Sequence, residues 1–192
     1  INISSMRYNI LTAEASPIEL ITEWASCIPN AEIYNFYGPT EATIYCSYNK
    51  FHRDKKNKQV NGMFSIGKIM PGINSIIIDK KNNILKTGIR GELAVSGAQI
   101  TKGYWQNKIK NKESFFYKKI NGVSHRFYKT GDSCYFDSDG DIMLFGRLDN
   151  QVKIQGYRIE LGELEYYARE VLEGGNAVAL AFENNLGNNE II

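Results

Sequence analysis

Asn35-Phe36-Tyr37-Gly38-Pro39-Thr40-Glu41 places an aromatic ring, a glycine, a hydroxyl and a carboxylate within one short stretch. These types suit a ligand that carries both a flat ring and phosphates. Tyr37 can stack, Gly38 lets the backbone come close, Thr40 can donate to a phosphate oxygen, and Glu41 can hold Mg²⁺. Further on, "YKTGD" ends a strand-like run with Asp132. A carboxylate there can accept from two adjacent hydroxyls, as on a ribose. Arg147 in "GRLD" adds a planar fork of donors that is always charged. Together these make a nucleotide-binding kit. Taken singly, each has a plainer reading: Tyr37 as core packing, Thr40 as a helix cap, Glu41 as a first-turn charge favoured by the helix dipole.

Other chemistries lack an anchor. No GxxxxGK[ST] or GxGxxG loop occurs, and no nucleophile elbow. Cys27, Cys46 and Cys134 form no CxxC pair, and the only histidines, His52 and His125, stand in polar stretches; reduced thiols in a cytoplasmic protein fit best. "DSDGD" (137–141) has Gly140 fourth and Leu148 twelfth, where a calcium loop needs glycine sixth and glutamate twelfth, so it reads as a turn. A net charge of +2 makes neither nucleic acid nor an anionic membrane the default partner. The basic runs at Arg53–Lys58 and Lys108–Lys119 read as solvated loops. No apolar stretch approaches the ~18 residues of a membrane span.

The elements that must position this kit fall into three zones. "MRYNIL" (6–11) reads as a strand, Pro17 opens a helix through about Cys27, "AEIYNF" reads as a second strand and 44–48 as a third. That order suggests the end of a mostly parallel α/β subdomain over 1–59, with "NFYGPTE" at the carboxyl end of a strand, where open α/β sheets bind ligands. From 60 to 148, short strands with polar turns suggest a small antiparallel β-barrel-like subdomain. "NSIIID" and "NILKTG" form a hairpin there, followed by "GELAVSG", "RFYKTGD", "CYFD" and "DIMLFGR". From 149 a small α+β domain begins, with two short strands and a helix over 160–173 that carries a Glu165–Arg169 pair.

"NFYGPTE", "GELAVSGAQITKGYW", "YKTGD" and "GRLDNQVKIQGYRIELGELE", in this order from Asn35 to Glu165, resemble successive motifs of the adenylate-forming enzymes. That superfamily includes the amino-acid adenylation domains of nonribosomal peptide synthetases, D-alanyl carrier protein ligases and acyl-CoA synthetases. "NFYGPTE" and "QVKIQGYRIELGELE" lean toward the amino-acid branch.

The resemblance implies an ATP-dependent, AMP-forming ligase with Mg²⁺ as cofactor. Its partners would be a small carboxylic acid, an amino acid in this branch, and a carrier protein whose phosphopantetheine thiol takes the acyl group. By the same resemblance Asn35 and Tyr37 border the adenine beside Gly38, Thr40 contacts the α-phosphate, Glu41 holds Mg²⁺, and Asp132 and Arg147 take the ribose. Ile10, Thr12, Phe36, Ile44 and Tyr45 line the acid pocket, and Asp149 is the hinge of a mobile C-terminal domain. "TAEAS" stands where the family has a Gly-Glu-Ala element, with Ala13 in place of the glycine. Gln155 replaces the usual Arg or Lys, leaving Lys153 as the nearest cation for thiol transfer, and Leu144 stands where an aromatic is common. The family's phosphate loop is expected upstream and its adenylation lysine downstream of residue 192, which marks the chain as a piece inactive alone. An acyl-CoA or aryl acid ligase, and a non-catalytic remnant of the same fold, are the alternatives.

Overall fold

In the computed structural model, residues 1–149, 151–154, 157–172, 175–184 and 189–192 are described. They fall into two compact units, Ile1–Gly146 and Arg147–Ile192. No helix among the described residues is long and apolar enough to cross a membrane.

The first unit opens with β1 (Tyr8–Leu11), α1 (Ile18–Cys27) and β2 (Glu32–Tyr37). Pro17 caps α1 in extended conformation, as the fixed φ of proline favours. Alternation in β2 buries Ile33, Asn35 and Tyr37. Ile33 joins Ile21, Ala25 and Ile28 from α1 in one apolar cluster with Phe51 and Phe64. The helix's open carboxyl end is closed by Arg53, whose guanidinium donates to the Ala25, Ile28 and Ala31 carbonyls at 2.6, 2.8 and 2.8 Å. The Arg53–Lys58 run is the loop expected, with Arg53 itself exposed, but this guanidinium ties the loop to the end of the helix.

The third strand differs from expectation. β3 is Ser47–Lys50, after a loop where Ile44–Cys46 had read as strand. β1 and β2 pair in parallel, but β2–β3 and β3 with β6 (Lys68–Ile69) are antiparallel. The reason is length: the short link from Tyr37 to Ser47 can only turn back, whereas a parallel return needs a crossover of a dozen or more residues. A short ribbon, β4 (Gln59–Val60) with β5 (Met63–Phe64), lies between.

An antiparallel sheet follows, in the order β11 (Ile142–Arg147), β10 (Val123–Phe136), β8 (Gly91–Gly97), β7 (Ile73–Ile78), with β9 (Phe115–Ile120) also on β10. Among the described residues it is an open sheet and closes no barrel. "RFYKTGD" and "CYFD" prove to be one long strand, β10. Asn121 and Gly122, with φ of 49° and 82°, make the tight β9–β10 turn. The Lys108–Lys119 run, by contrast, is not loop. α2 (Lys108–Ser114) is capped by the Asn107 side chain, which accepts from the Lys110 amide at 3.0 Å, and β9 follows. Ile77, Leu93, Val95, Tyr128, Cys134 and Ile142 pack with Tyr37 from the first sheet and with Ala42 and Cys46 from the loop after it. One core therefore spans both sheets, and Ser65 stitches them further by donating to the Ile142 carbonyl at 2.9 Å.

The second unit holds β12 (Gln151–Ile154) antiparallel to β13 (Tyr157–Glu160), α3 (Leu161–Val171), and β14 (Ala181–Glu183) with β15 (Asn189–Ile191). Arg169 meets Glu165 at 2.9 Å, one helical turn apart.

Ala13 adopts φ 75°. That left-handed backbone costs an L-residue roughly 1–2 kcal/mol that glycine escapes. Ala13→Gly is therefore expected to raise stability by about 1 kcal/mol, or ~2–4 °C in Tm, once the looser unfolded chain is counted. A thermal melt that shows no gain, or a loss, would contradict this.

Candidate active site

β2 delivers "NFYGPTE" to its carboxyl end, and the chain then reverses within a few residues. Pro39 caps a single 3-10 turn, Thr40–Ala42, so Thr40 is not the cap. The Cys46 amide returns to the Tyr37 carbonyl at 2.8 Å and closes the loop. Closure brings the loop onto Gly38: a Cβ there would collide with the Ile44 carbonyl oxygen and lie 2.9 Å from the Cys46 nitrogen. Gly38 thus serves a close approach of protein backbone to protein backbone. Asn35 is buried and donates to the Ser65 carbonyl at 3.3 Å. Thr40 is exposed.

Asp132 arrives from the other sheet by a bulge in β10. Lys129 pairs with Ala94 and Ser133 with Glu92, so Thr130, Gly131 and Asp132 stand opposite Leu93 alone. Gly131, at φ 74°, makes the bend. Thr130 Oγ1 donates to the Leu93 carbonyl at 2.8 Å, and the Glu92 carboxylate accepts from the Gly131 amide at 2.9 Å. Bulges of this kind re-aim a side chain next to functional sites. Here the re-aimed group is the Asp132 carboxylate, which accepts a short hydrogen bond from the Tyr37 hydroxyl. Two motifs ninety-five residues apart therefore meet in a buried pair. Burial, and next the Asp132 charge, hold the Tyr37 phenol well above its ordinary pKa. The same two causes push Cys46 up to about 12, and Cys134 is likewise raised by burial and then by Asp132. Both thiols stay protonated at neutral pH and are core groups rather than nucleophiles.

Glu41 is only 6% exposed and is held by the 97–105 segment. Tyr104 Oη donates to Glu41 Oε1 at 2.5 Å, and the Thr101 amide donates to the Glu41 carbonyl at 2.9 Å. Burial, then the hydrogen bond to Glu41, raise the Tyr104 pKa, so the phenol remains a donor. A single buried carboxylate oriented by a phenol fits Mg²⁺, which commonly takes one or two protein carboxylates and draws its other ligands from phosphates and water. Glu92, Gln99 and Tyr104 carry no site signal of their own in the sequence. All three lie in "GELAVSGAQITKGYW", but nothing local reveals which partners they meet.

Ile10 and Phe36 line a groove of about 590 Å³ with Tyr8, Tyr48, Met70 and Gln99. Tyr45 does not line it but packs on Phe36, 5.0 Å away centroid to centroid. Ile44 and Thr12 are exposed and do not line it. In the second unit Arg147 grips Asp149 with two bonds, Nε to Oδ1 at 2.9 Å and Nη2 to Oδ2 at 2.5 Å, and Asp149 also accepts from the Gln151 amide. The Lys153 side chain and Gln155 lie outside the described residues.

Asp137, Asp139 and Asp141 are the one group of carboxylates close enough to share a metal among the described residues. Lys58 Nζ already sits on all three, at 2.6, 2.7 and 2.6 Å. Burial opposes the Asp137 charge, but the Lys58 ammonium and two backbone amides outweigh it and hold the carboxyl below its ordinary range. This is an ion-paired turn.

The end of β2 thus carries Tyr37, bonded to Asp132 from the bulged strand, and the loop that follows it carries the buried Glu41. The family model described as "AMP-binding enzyme" matches residues 2–105, more than half of the chain, and the chain belongs to that family. It is 35% identical over 184 residues to a linear gramicidin synthase protein of Brevibacillus parabrevis, covering 96% of this chain and 4% of that protein. It is 31% identical over 185 residues to surfactin synthase subunit 1 of Bacillus subtilis, covering 96% and 5%. Among solved structures it resembles the Vibrio cholerae adenylation domain AlmE in complex with glycyl-adenosine-5'-phosphate, at TM-score 0.84 and 27% identity, over 99% of this chain and 36% of that one. It also resembles PA1221, a nonribosomal peptide synthetase protein with adenylation and carrier domains, at TM-score 0.81 and 25% identity, over 97% and 37%. The chain thus spans a small part of the curated relatives and about a third of the solved chains.

Gly38→Ala sets a methyl group against backbone on both sides. The expected cost is about 2 kcal/mol or more, read as a drop of ~4–8 °C in Tm. An unchanged melting temperature would mean that the loop closure does not depend on this approach.

Proposed function

We propose that this chain is the middle-to-late part of an ATP-dependent, AMP-forming ligase that activates an amino acid and passes it to a carrier protein. One observation carries the reading: the Tyr37 hydroxyl and the Asp132 carboxylate, from two motifs and two sheets, meet at the strand end that also presents Glu41. The peptide synthetase names among the relatives, and the carrier domain in PA1221, support the amino-acid branch and the carrier partner.

In the proposed reaction a substrate carboxylate oxygen attacks the α-phosphorus of ATP. A new oxygen–phosphorus bond forms as the bond to the bridging oxygen breaks, and pyrophosphate leaves. The carrier thiol then attacks the acyl carbon and AMP departs. Mg²⁺, when bound, would neutralise phosphate charge, and Glu41 would hold it. Asp132 would accept from the ribose hydroxyls, with Tyr37 beside it bordering the adenine and Asn35 fixing the strand below. Thr40, exposed and free of cap duty, would donate to the α-phosphate. Catalysis of this kind is positioning and charge stabilisation. Arg147 would assist at the ribose, and Asp149, its present partner, would be the hinge. Lys153 would serve thiol transfer, and the setting would be cytoplasmic. Phe36 and Tyr45 narrow the acid pocket, so a small substrate such as glycine or alanine is proposed, in keeping with the glycyl adduct held by AlmE.

ATP–pyrophosphate exchange by the complete polypeptide, against a panel of amino acids and simple acids, tests this. Exchange with one small amino acid is expected. Asp132→Ala should raise the KM for ATP by about 10–100-fold, the worth of charge-assisted hydrogen bonds, and leave the KM for the acid nearly unchanged. Exchange with non-amino acids alone would move the protein to the acyl ligases. No exchange, or equal effects on both KM values, would overturn the reading.

A further inference from the structure

Thr43 and Ile44 adopt φ of 53° and 75°. Two successive β-branched residues in the left-handed region are outliers that persist only when their surroundings hold them there. The holder is Gln99. Its side-chain amide donates to the carbonyl of Ala42, before the strained pair, and to that of Tyr45, after it, the latter at 2.7 Å. The Thr43 hydroxyl answers by donating to the Gln99 carbonyl at 2.6 Å. Three bonds thus brace the turn from a residue more than fifty positions away. Gly38 leaves room for it, since the Ile44 carbonyl occupies the space a Cβ would fill. Tyr45 follows the strained pair, and its ring packs at 5.0 Å on Phe36, which lines the groove. Gln99 itself lines the groove with Ile10 and Phe36.

We propose that Gln99 is a positioning residue for acid specificity: it clamps Thr43–Ile44 in the left-handed turn and so fixes Tyr45 against Phe36, which sets the width of the groove. The proposal rests on the reading of that groove as the acid pocket. Without the two donors the strained pair relaxes to right-handed backbone, Tyr45 leaves Phe36, and the groove opens to larger acids while holding small ones less well. Tyr104, five residues on, fixes Glu41 from the same segment, so the clamp acts on the acid side and leaves the nucleotide side in place.

The test uses the complete polypeptide with Gln99→Met and Gln99→Glu, which keep the length of the side chain and remove its donors. Amide hydrogen exchange over 42–46 should quicken in both. The KM for the preferred small acid should rise by about tenfold, with the KM for ATP unchanged and larger acids now accepted. Tyr45→Ala leaves the clamp intact and should widen acid selection in the same way. Unchanged hydrogen exchange in the Gln99 variants, equal rises in both KM values, or a Tyr45→Ala variant with unaltered selection would each overturn the proposal. If the unsubstituted polypeptide activates no acid, the parent reading falls and the specificity role with it, while hydrogen exchange still decides whether Gln99 holds the turn. Should the Gln99 variants fail to fold, Tyr45→Ala decides the link between this loop and selection.

Discussion

The hydrogen bond from the Tyr37 hydroxyl to Asp132 crosses from one sheet to the other inside the core they share. A buried carboxylate is costly unless a donor meets it, and a buried phenol needs an acceptor. Each group thus helps to satisfy the other. Meeting that requirement fixes the end of β2 against the bulge of β10. The bulge in turn depends on Thr130 and Glu92, which satisfy the backbone groups that the missing ladder leaves open. Remove the pair, and the two motifs lose the hydrogen bond that joins them within that core.

A second constraint is backbone strain. The loop after Gly38 must reverse in few residues, and it does so through two left-handed β-branched positions braced by Gln99. Strain of this kind concentrates where function demands a fixed geometry. The same segment that carries Gln99 carries Tyr104, which orients the Glu41 carboxylate. The stretch 97–105 is therefore a strap across this loop, with one anchor on the strained turn beside the proposed acid pocket and one on the proposed metal carboxylate.

Much of the frame was legible from local pattern. The aromatic and β-branched run "AEIYNF" and the proline before α1 marked β2 and the helix, because both signals are local. Motif order marked the family. What the sequence hid has physical reasons. "IYC" is apolar and suits a strand, so it read as one, but the short link forces those residues into a turn. "KIKNKES" has no apolar face, so α2 gave no periodic signal; its Asn107 cap was the only cue. The bulge in β10 looked like a strand break because Gly131 interrupts the alternation. The partners of Tyr104 and Gln99 were invisible because contacts between segments more than fifty residues apart leave no mark in local spacing. Of the five positions carried over by resemblance, Ile10 and Phe36 line the groove, Tyr45 packs on Phe36 without lining it, and Thr12 and Ile44 lie away from it.

The central claim is that Tyr37 and Asp132 form the floor of an adenosine site. A crystal structure of the complete polypeptide with a non-hydrolysable acyl-adenylate analogue addresses it most directly. The account predicts both ribose hydroxyls within hydrogen-bond distance of the Asp132 carboxylate and the adenine bordered by Tyr37. An analogue bound with its ribose away from Asp132, or bound in another cleft, would contradict it.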